Sequence, residues 1–176
     1  MRILAISGSL RDQSTNSRLL RAAQLVAPSD IAIDVYGELG ALPHFNPDLD
    51  EDAPPAIVGR LRDAVGAADA LMICSPEYAH GVPGTLKNAL DWLVASREMP
   101  GKVVALVNAS GRSTHAHAQL AETLRTMATN VLSFTIALDG RRIDEHAMAA
   151  DADIATALQN VFAEIARAQN DYSTRA

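Results

Sequence analysis

A short polar segment near the start of the chain, GSLRDQSTN at residues 8–16, has the composition of a phosphate-binding loop. It follows an apolar run and precedes a helical pattern, so it connects a strand to the start of a helix. The first N–H groups of a helix lack intrahelical partners and attract anions. Ser9, Ser14 and Thr15 add hydroxyl donors. Arg11 adds a guanidinium, whose fork of N–H groups suits phosphate oxygens.

The same residues also have a purely structural interpretation. Ser14, Thr15 and Asn16 are common types of helix N-cap, and Arg11 is then a solvated loop charge. The loop lacks both the Gly-Lys-Ser/Thr of a P-loop and the G-x-G-x-x-G of a dinucleotide-binding motif. If it does bind phosphate, the sequence therefore indicates a site for a single phosphate and disfavours a dinucleotide-binding fold.

A second informative segment, SPEYAHGVPGTLKNALDW, occupies residues 75–92. It follows the apolar run ADALMIC, turns through Gly81, Pro83 and Gly84, and then begins a helix. Loops at the carboxyl ends of strands are where open α/β sheets bind their ligands. A flat cofactor ring placed there needs apolar contact and backbone amides aimed at its polar edge.

Both segments resemble those of the NAD(P)H-dependent FMN reductases, a family that includes quinone, azo-dye and chromate reductases. The first loop of that family runs GS-x-R-x-x-S-x-N, and its second motif is PEYN…PG-x-LKNA-x-DW. The resemblance covers about half of the chain, from the first strand to the third helix. It implies that FMN is the cofactor and that Ser9, Arg11, Ser14 and Asn16 hold its 5′-phosphate. Leu10 and Thr15 of the same loop are expected to be further cofactor-binding residues.

The second loop carries a departure from the family pattern. With the phosphate in the first loop, Pro76, Glu77 and Tyr78 are expected to face the isoalloxazine and ribityl groups of FMN, and Ala79 is a further expected cofactor-binding residue. We expect the backbone of Glu77 and Tyr78 to contribute more than the Glu77 carboxylate. Ala79 stands where the family has Asn, so a hydrogen bond made by that Asn is lost or is replaced, with His80 as a candidate.

A third polar segment, NASGRSTH at residues 108–115, follows another apolar run. Many relatives have a glycine-rich turn here that lies against the flavin. By this resemblance Ser110 and Gly111 contact the ring. Arg112 has two interpretations, a contact to the 2′-phosphate of NADPH or a solvated surface charge.

Strand and helix patterns alternate along the chain, which predicts a parallel sheet covered on both faces. Right-handed crossovers leave two common arrangements, the flavodoxin-like order 2-1-3-4-5 and the Rossmann half-fold. The resemblance implies an α/β flavodoxin-like three-layer sandwich with a five-stranded parallel sheet, in a single domain over residues 1–176. The predicted strands are 2–7, 31–36, 69–74, 102–110 and 131–138, and the predicted helices are 16–27, one around 57–65, 83–95, 114–128 and 151–168.

Composition limits the partners of this protein. A net charge of −6 disfavours nucleic acid, which requires a clustered basic surface. The single cysteine, Cys74, excludes an intramolecular disulfide and is typical of a reducing compartment. No apolar run is long enough for a membrane span, so we expect a cytoplasmic protein without a membrane partner. His115 and His117 are two residues apart on a predicted helix and make a poor metal chelate, so no metal site is expected.

The resemblance implies an FMN-dependent NAD(P)H oxidoreductase. Hydride passes from NADPH or NADH to FMN and then to a small-molecule acceptor such as a flavin or a quinone, with ping-pong kinetics. No catalytic side chain is expected, because hydride transfer depends on stacking distance and electrostatics. Two alternatives remain open, an electron carrier of the flavodoxin type and a flavin-binding module without turnover.

The third predicted helix suggests self-association. It carries more apolar surface than one sheet face easily covers, and exposed apolar patches of this kind tend to pair. The family resemblance also implies dimers built around this region. We therefore expect a homodimer or homotetramer, from the apolar residues Leu86, Leu90, Trp92 and Leu93.

Overall fold

The computed structural model describes residues 1–51, 53–127, 130–138 and 143–174. Five parallel strands form one sheet: β1 Arg2–Ser7, β2 Ala32–Val35, β3 Ala70–Cys74, β4 Val103–Asn108 and β5 Asn130–Thr135. Their order across the sheet is β2-β1-β3-β4-β5, which confirms the predicted flavodoxin-like arrangement. β3 lies at the centre and is wholly buried because both faces of the sheet are covered.

Within the described residues, six α-helices pack in two layers against the sheet: α1 Thr15–Val26, α2 Ala56–Ala67, α3 Gly84–Val94, α4 Thr114–Met127, α5 Glu145–Ala150 and α6 Ala152–Ser173. Alternate residues of β3 face opposite layers, as the period of a strand requires. Met72 and Cys74 pack with α1 and α6, whereas Leu71 and Ile73 pack with α2, α3 and α4. Within the described ranges, no helix is both long and apolar enough to cross a membrane.

Most predicted elements are confirmed with small differences at their ends. The predicted end of the fourth helix, Ala128, lies outside the described residues. The fifth strand pairs only as far as Thr135, because the apolar residues that follow leave the ladder and cross toward the loop after β4. The six-residue α5 was not predicted. Its N-cap is Asp144, whose carboxylate accepts a hydrogen bond from the Ala147 N–H at 2.8 Å.

The argument for self-association from the third helix is wrong. The polar segment at residues 37–51 folds over α3, so the apolar side chains are covered within the chain. The Trp92 ring meets Phe45 edge-to-face, with centroids 5.0 Å apart, and its Nε1–H donates to the Pro43 carbonyl at 2.8 Å. At most 1% of each of the four side chains in question is exposed: Leu86, Leu90, Trp92 and Leu93.

Candidate functional site

The loops that follow β1, β3 and β4 meet at the carboxyl edge of the sheet and enclose a cavity of about 230 Å³, called here the main cavity. Parallel strands have their carboxyl ends on the same edge of the sheet, so the three polar segments that follow them lie next to one another. Leu138, which follows β5, closes the far wall. The lining residues are Thr15, Asn16, Ser75, Pro76, Glu77, Ala109, Ser110, Ser113 and Leu138.

One end of the main cavity is the amino terminus of α1. The first intrahelical bond runs from the Arg18 N–H to the Ser14 carbonyl at 2.9 Å, so the N–H groups of residues 15–17 precede the helical ladder. Ser14 is the N-cap residue, but its hydroxyl makes no capping hydrogen bond, and the first turn contains no acidic side chain. Free N–H groups and an uncompensated helix dipole favour an anion at this end.

Asn16, in the wall of the main cavity, is held by a hydrogen bond from Cys74 at the end of β3. It is buried, and its Oδ1 accepts a hydrogen bond from the Cys74 thiol at 3.2 Å. Burial raises the pKa of the Cys74 thiol to about 12, while a backbone hydrogen bond with Ala109 acts in the opposite direction. The thiol therefore keeps its proton, and this buried side chain makes a polar contact as well as its apolar ones.

Gly8 allows the first and second loops to approach each other. A Cβ at this position would lie 2.3 Å from the Ser75 Oγ and 3.1 Å from a methyl group of Leu86. The Gly8 N–H also donates to the Cys74 carbonyl at 2.9 Å. A residue without a side chain is therefore required at this position for the two loops to pack together.

The second loop contains a tight turn at residues 78–81. The backbones of Tyr78 and Gly81 exchange hydrogen bonds of 3.1 and 2.9 Å, and φ is +48° at Ala79 and +60° at His80. Positive φ at both central positions is the pattern of a type I′ turn, which favours Asn and Gly. The Asn that Ala79 replaces is therefore suited to the backbone conformation itself, in addition to any hydrogen bond of its side chain.

The Glu77 carboxylate is engaged with α4. It accepts a hydrogen bond from the Ala116 N–H at 2.8 Å, which satisfies one of the free donors in the first turn of that helix. The second carboxylate oxygen lies 3.8 Å from Nδ1 of the exposed His80. The His80 and His115 rings are in contact, with centroids 4.3 Å apart. This histidine contact was not predicted because it joins a turn to a distant helix.

The third loop is shaped by Asn108, the buried last residue of β4. Its Oδ1 accepts from the Ser110 N–H and its Nδ2 donates to the Ser113 carbonyl, each at 3.0 Å. Ser110 and Ser113 consequently line the main cavity, whereas Gly111 and Arg112 are exposed and lie outside it.

The structure divides the predicted site residues between two cavities. Thr15, Asn16, Pro76, Glu77 and Ser110 lie together in the main cavity. A second cavity of about 200 Å³ lies between the first loop and the end of β2. Ser9, Leu10 and Arg11 line this second cavity. Ser14 is buried and lines neither cavity, and the exposed residues Tyr78, Ala79, Gly111 and Arg112 also line neither of them.

Sequence reasoning missed four residues that line the main cavity, Ser75, Ala109, Ser113 and Leu138. Ser75 and Ala109 each directly follow a strand, so their position at a strand end was a usable signal. Ser113 lies within the third polar segment. Leu138 had no local signal, because only the strand order brings the chain beyond β5 next to the loop that follows β4.

The residues 88–92 of the second motif have a structural role that was also missed. The Asn88 amide accepts from the Phe45 N–H at 2.7 Å and donates to the Pro43 carbonyl at 2.9 Å. Arg62 of α2 donates to the Trp92 carbonyl at 2.7 Å. The bonds of Asn88 fasten the loop at residues 43–45 over α3, and the Arg62 bond joins α2 to α3.

Comparisons with known proteins agree with this architecture. A model of the NADPH-dependent FMN reductase family matches residues 1–148. A quinone reductase of Pseudomonas putida is 40% identical over 113 residues, which are 61% of this chain and 59% of that protein. An NAD(P)H-dependent FMN reductase of Pseudomonas aeruginosa is 40% identical over 122 residues, 68% of this chain and 65% of that protein. The chain thus covers less than two thirds of the length of each of these relatives.

A solved structure extends the similarity to nearly the whole chain. The flavoenzyme NAD(P)H:(acceptor) oxidoreductase FerB from Paracoccus denitrificans is 27% identical, with a TM-score of 0.71. The superposition covers 98% of this chain and 97% of that one. The strand order and the two helical layers described above are therefore shared along the full fold.

Proposed function

The chain belongs to the NADPH-dependent FMN reductase family, and from that premise we propose that it is an FMN-dependent oxidoreductase. It uses NAD(P)H to reduce a small-molecule acceptor, with a flavin or a quinone as the class of acceptor. The observation that carries the proposal is the main cavity, which joins a free helix amino terminus to two loops with apolar walls.

The residues present fit a flavin mononucleotide. The first turn of α1 offers N–H groups and no carboxylate, which suits the phosphate. Pro76, Ala109 and Leu138 supply apolar surface for a planar ring. When bound, FMN supplies a carrier that takes up a hydride and releases it to an acceptor.

The chain itself contributes position and electrostatics rather than a proton-transfer group. Glu77 is the one ionisable residue among the nine that line the main cavity, and its carboxylate is bonded to α4. Cys74 is buried beneath the cavity with a raised pKa, so it is not a nucleophile. No side chain is therefore assigned a catalytic role.

We propose that donor and acceptor use the main cavity in turn, which produces ping-pong kinetics. Anaerobic addition of NADPH to the FMN-loaded protein tests the activity directly, through loss of the flavin absorption band. Steady-state rates with a quinone should then give parallel double-reciprocal lines. Intersecting lines contradict the shared cavity, and no bleaching by NADPH or NADH contradicts the oxidoreductase.

The division of the first loop between two cavities makes the phosphate position testable. We propose that the phosphate lies at the amino terminus of α1, with Ser14, Thr15 and Asn16 beside it and Arg11 reaching it from the second cavity. Arg11 Nη2 donates to the Gln13 carbonyl at 3.1 Å, and the other N–H groups of the guanidinium can donate to the phosphate. Arg11→Ala should weaken FMN binding by about 1.5–3 kcal/mol, the range for hydrogen bonds to charged groups. Unaltered affinity removes Arg11 from the site.

Arg112 is proposed to contact the 2′-phosphate of NADPH. It is exposed and belongs to the loop that borders the main cavity. Arg112→Ala should then raise the KM for NADPH more than that for NADH. Equal effects on the two nucleotides contradict this role.

Self-association remains a proposal with a different support from the one predicted. Leu10 and Tyr78 are 56% and 57% exposed beside the two cavities, and they are candidates for contact with a second copy of the chain. The mass in solution at micromolar concentration tests this, and a monomeric mass contradicts it.

We also propose a cytoplasmic location, on the basis of the free buried thiol of Cys74.

The alternative of a flavodoxin-type electron carrier, or of a flavin-binding module without turnover, is not favoured. The family match and both relatives described above are reductases by name.

A further inference from the structure

Two hydrogen bonds tie the ends of neighbouring strands to consecutive residues of the first turn of α1. Ser7 of β1 and Cys74 of β3 are partners in the sheet register. The Ser7 hydroxyl lies 2.8 Å from the Ser17 hydroxyl, and the Cys74 thiol donates to Asn16 Oδ1 over 3.2 Å. All four side chains are buried. The strand ends thus hold the amino terminus of α1 in place.

Only Asn16 among these four residues lines the main cavity. A side-chain amide has one end that accepts hydrogen bonds and one end that donates them. A protonated thiol donates to oxygen, so its bond occupies Oδ1 and leaves the Nδ2 donor for the cavity. The reverse orientation would present an acceptor oxygen at the helix terminus, where an anion is expected.

We propose that Cys74 is a positioning residue of the cofactor site, whose thiol holds the Asn16 amide with Nδ2 available to donate to a phosphate in the main cavity. This inference rests on the proposed FMN-binding function. It gives the cysteine a role that needs neither oxidation nor nucleophilic attack. The raised pKa of Cys74 supports it, because a thiol must keep its proton to donate.

The first test is infrared spectroscopy of the ligand-free protein. The chain has one cysteine, so the S–H stretching band belongs to Cys74 alone. In the wild type the band should lie at the lowered frequency of a hydrogen-bonded thiol. Asn16→Ala should raise that frequency, whereas Ser17→Ala, which breaks the neighbouring bond, should leave it in place. A band that does not move in Asn16→Ala overturns the inference.

The second test measures FMN dissociation constants by quenching of flavin fluorescence. Cys74→Ala should weaken FMN binding by about 2- to 10-fold, the range for one neutral hydrogen bond. Cys74→Ser should stay within about 2-fold of the wild type, because the serine hydroxyl replaces the donor. In an Asn16→Ala background Cys74→Ala should add no further loss, since the two residues act as one unit.

The outcomes separate the inference from the proposed function. Equal weakening by Cys74→Ser and Cys74→Ala, or additive losses with Asn16→Ala, indicates a packing role and overturns the positioning role. Wild-type protein that binds no FMN overturns the proposed function, and with it the phosphate contact. The S–H band reports in either case whether the amide of Asn16 is held by the thiol.

Discussion

The two halves of residues 75–92 differ in what they contact, although they form one continuous motif in the sequence. The turn half, residues 75–81, lines the main cavity with three residues and ends in an exposed turn with positive φ. The helical half, α3, buries its apolar side chains and bonds to the loop between β2 and α2. One family motif therefore combines part of a ligand site with a helix that holds the loop between β2 and α2 in place.

The comparison also explains which substitutions each half tolerates. In the turn half the side chains of Tyr78, Ala79 and His80 are exposed, so the backbone conformation is the main constraint. In the helical half Asn88 and Trp92 satisfy polar groups of the covering loop. Loss of Asn88 leaves the Phe45 N–H without its acceptor. Loss of Trp92 removes one of the two donors to the Pro43 carbonyl. Each loss costs free energy of folding.

The largest effect is expected at Trp92. Trp92→Ala should lower the free energy of unfolding by about 3–5 kcal/mol, because a buried ring and its contact with Phe45 are lost. Trp92→Phe should cost less, since it retains a ring while losing the bond to the Pro43 carbonyl. Urea unfolding measures both values. A loss below about 1 kcal/mol for Trp92→Ala would show that the helical half is not an anchor.

A smaller loss is expected at Asn88. Asn88→Ala removes two hydrogen bonds and leaves the Phe45 N–H without its acceptor, so stability should fall by about 2 kcal/mol. Lys87→Ala is the matched control on the same helix. It breaks the exposed ion pair with Asp91 and should cost no more than about 0.5 kcal/mol. Equal losses in the two variants would contradict the anchoring role of Asn88.

Cys74, directly before the turn half, should make stability depend on alkaline pH. Its folded-state pKa of about 12 lies above the ordinary value of 9.0, so between these values the unfolded state binds fewer protons. The contribution is complete below pH 9 and is lost as pH rises toward 12. The loss should be about 1 kcal/mol between pH 9 and pH 10.

Cys74→Ser isolates this thiol, because lysines and tyrosines also titrate in the same range. The difference in free energy of unfolding between the wild type and Cys74→Ser should therefore shift with pH. A pH-independent difference would mean that the thiol ionises equally well in the folded protein.

The smallest effect is expected in the turn. Ala79→Gly should raise the free energy of unfolding by about 0.5–1 kcal/mol, because glycine adopts positive φ without the steric cost of a Cβ. Ala27→Gly is the control. Because φ is −62° at Ala27 and its methyl group packs against the core, glycine there relieves no strain and should destabilise the protein. Destabilisation by both substitutions would argue against strain at Ala79.

The fold was predictable because its signals are local. Each strand is an apolar run bounded by polar residues, each predicted helix has a periodic apolar stripe, and parallel connections have one hand. The exception is α5, which has six residues and no stripe of its own. Its start at Asp144 depends on a cap, a signal that is common in loops as well.

The site was predictable only in part, because a cavity depends on contacts between loops. The positions of Ser110 and Asn16 follow from strand ends and a helix start. The covering of α3 by residues 37–51 involves the bonds of Asn88 and Trp92 to a loop about 45 residues away in sequence. The same limitation applies to Leu138, which joins the main cavity only through the strand order.

A matched pair of asparagine substitutions tests the division of roles most directly. Asn16 and Asn88 both make side-chain hydrogen bonds, one beside the main cavity and one to the covering loop. The measurement is the FMN dissociation constant of Asn16→Ala and Asn88→Ala, compared with the wild type. We predict weakening of about 10-fold or more for Asn16→Ala, since it loses a donor to a charged phosphate. We predict an unchanged constant for folded Asn88→Ala. Equal constants for the two variants would contradict the account.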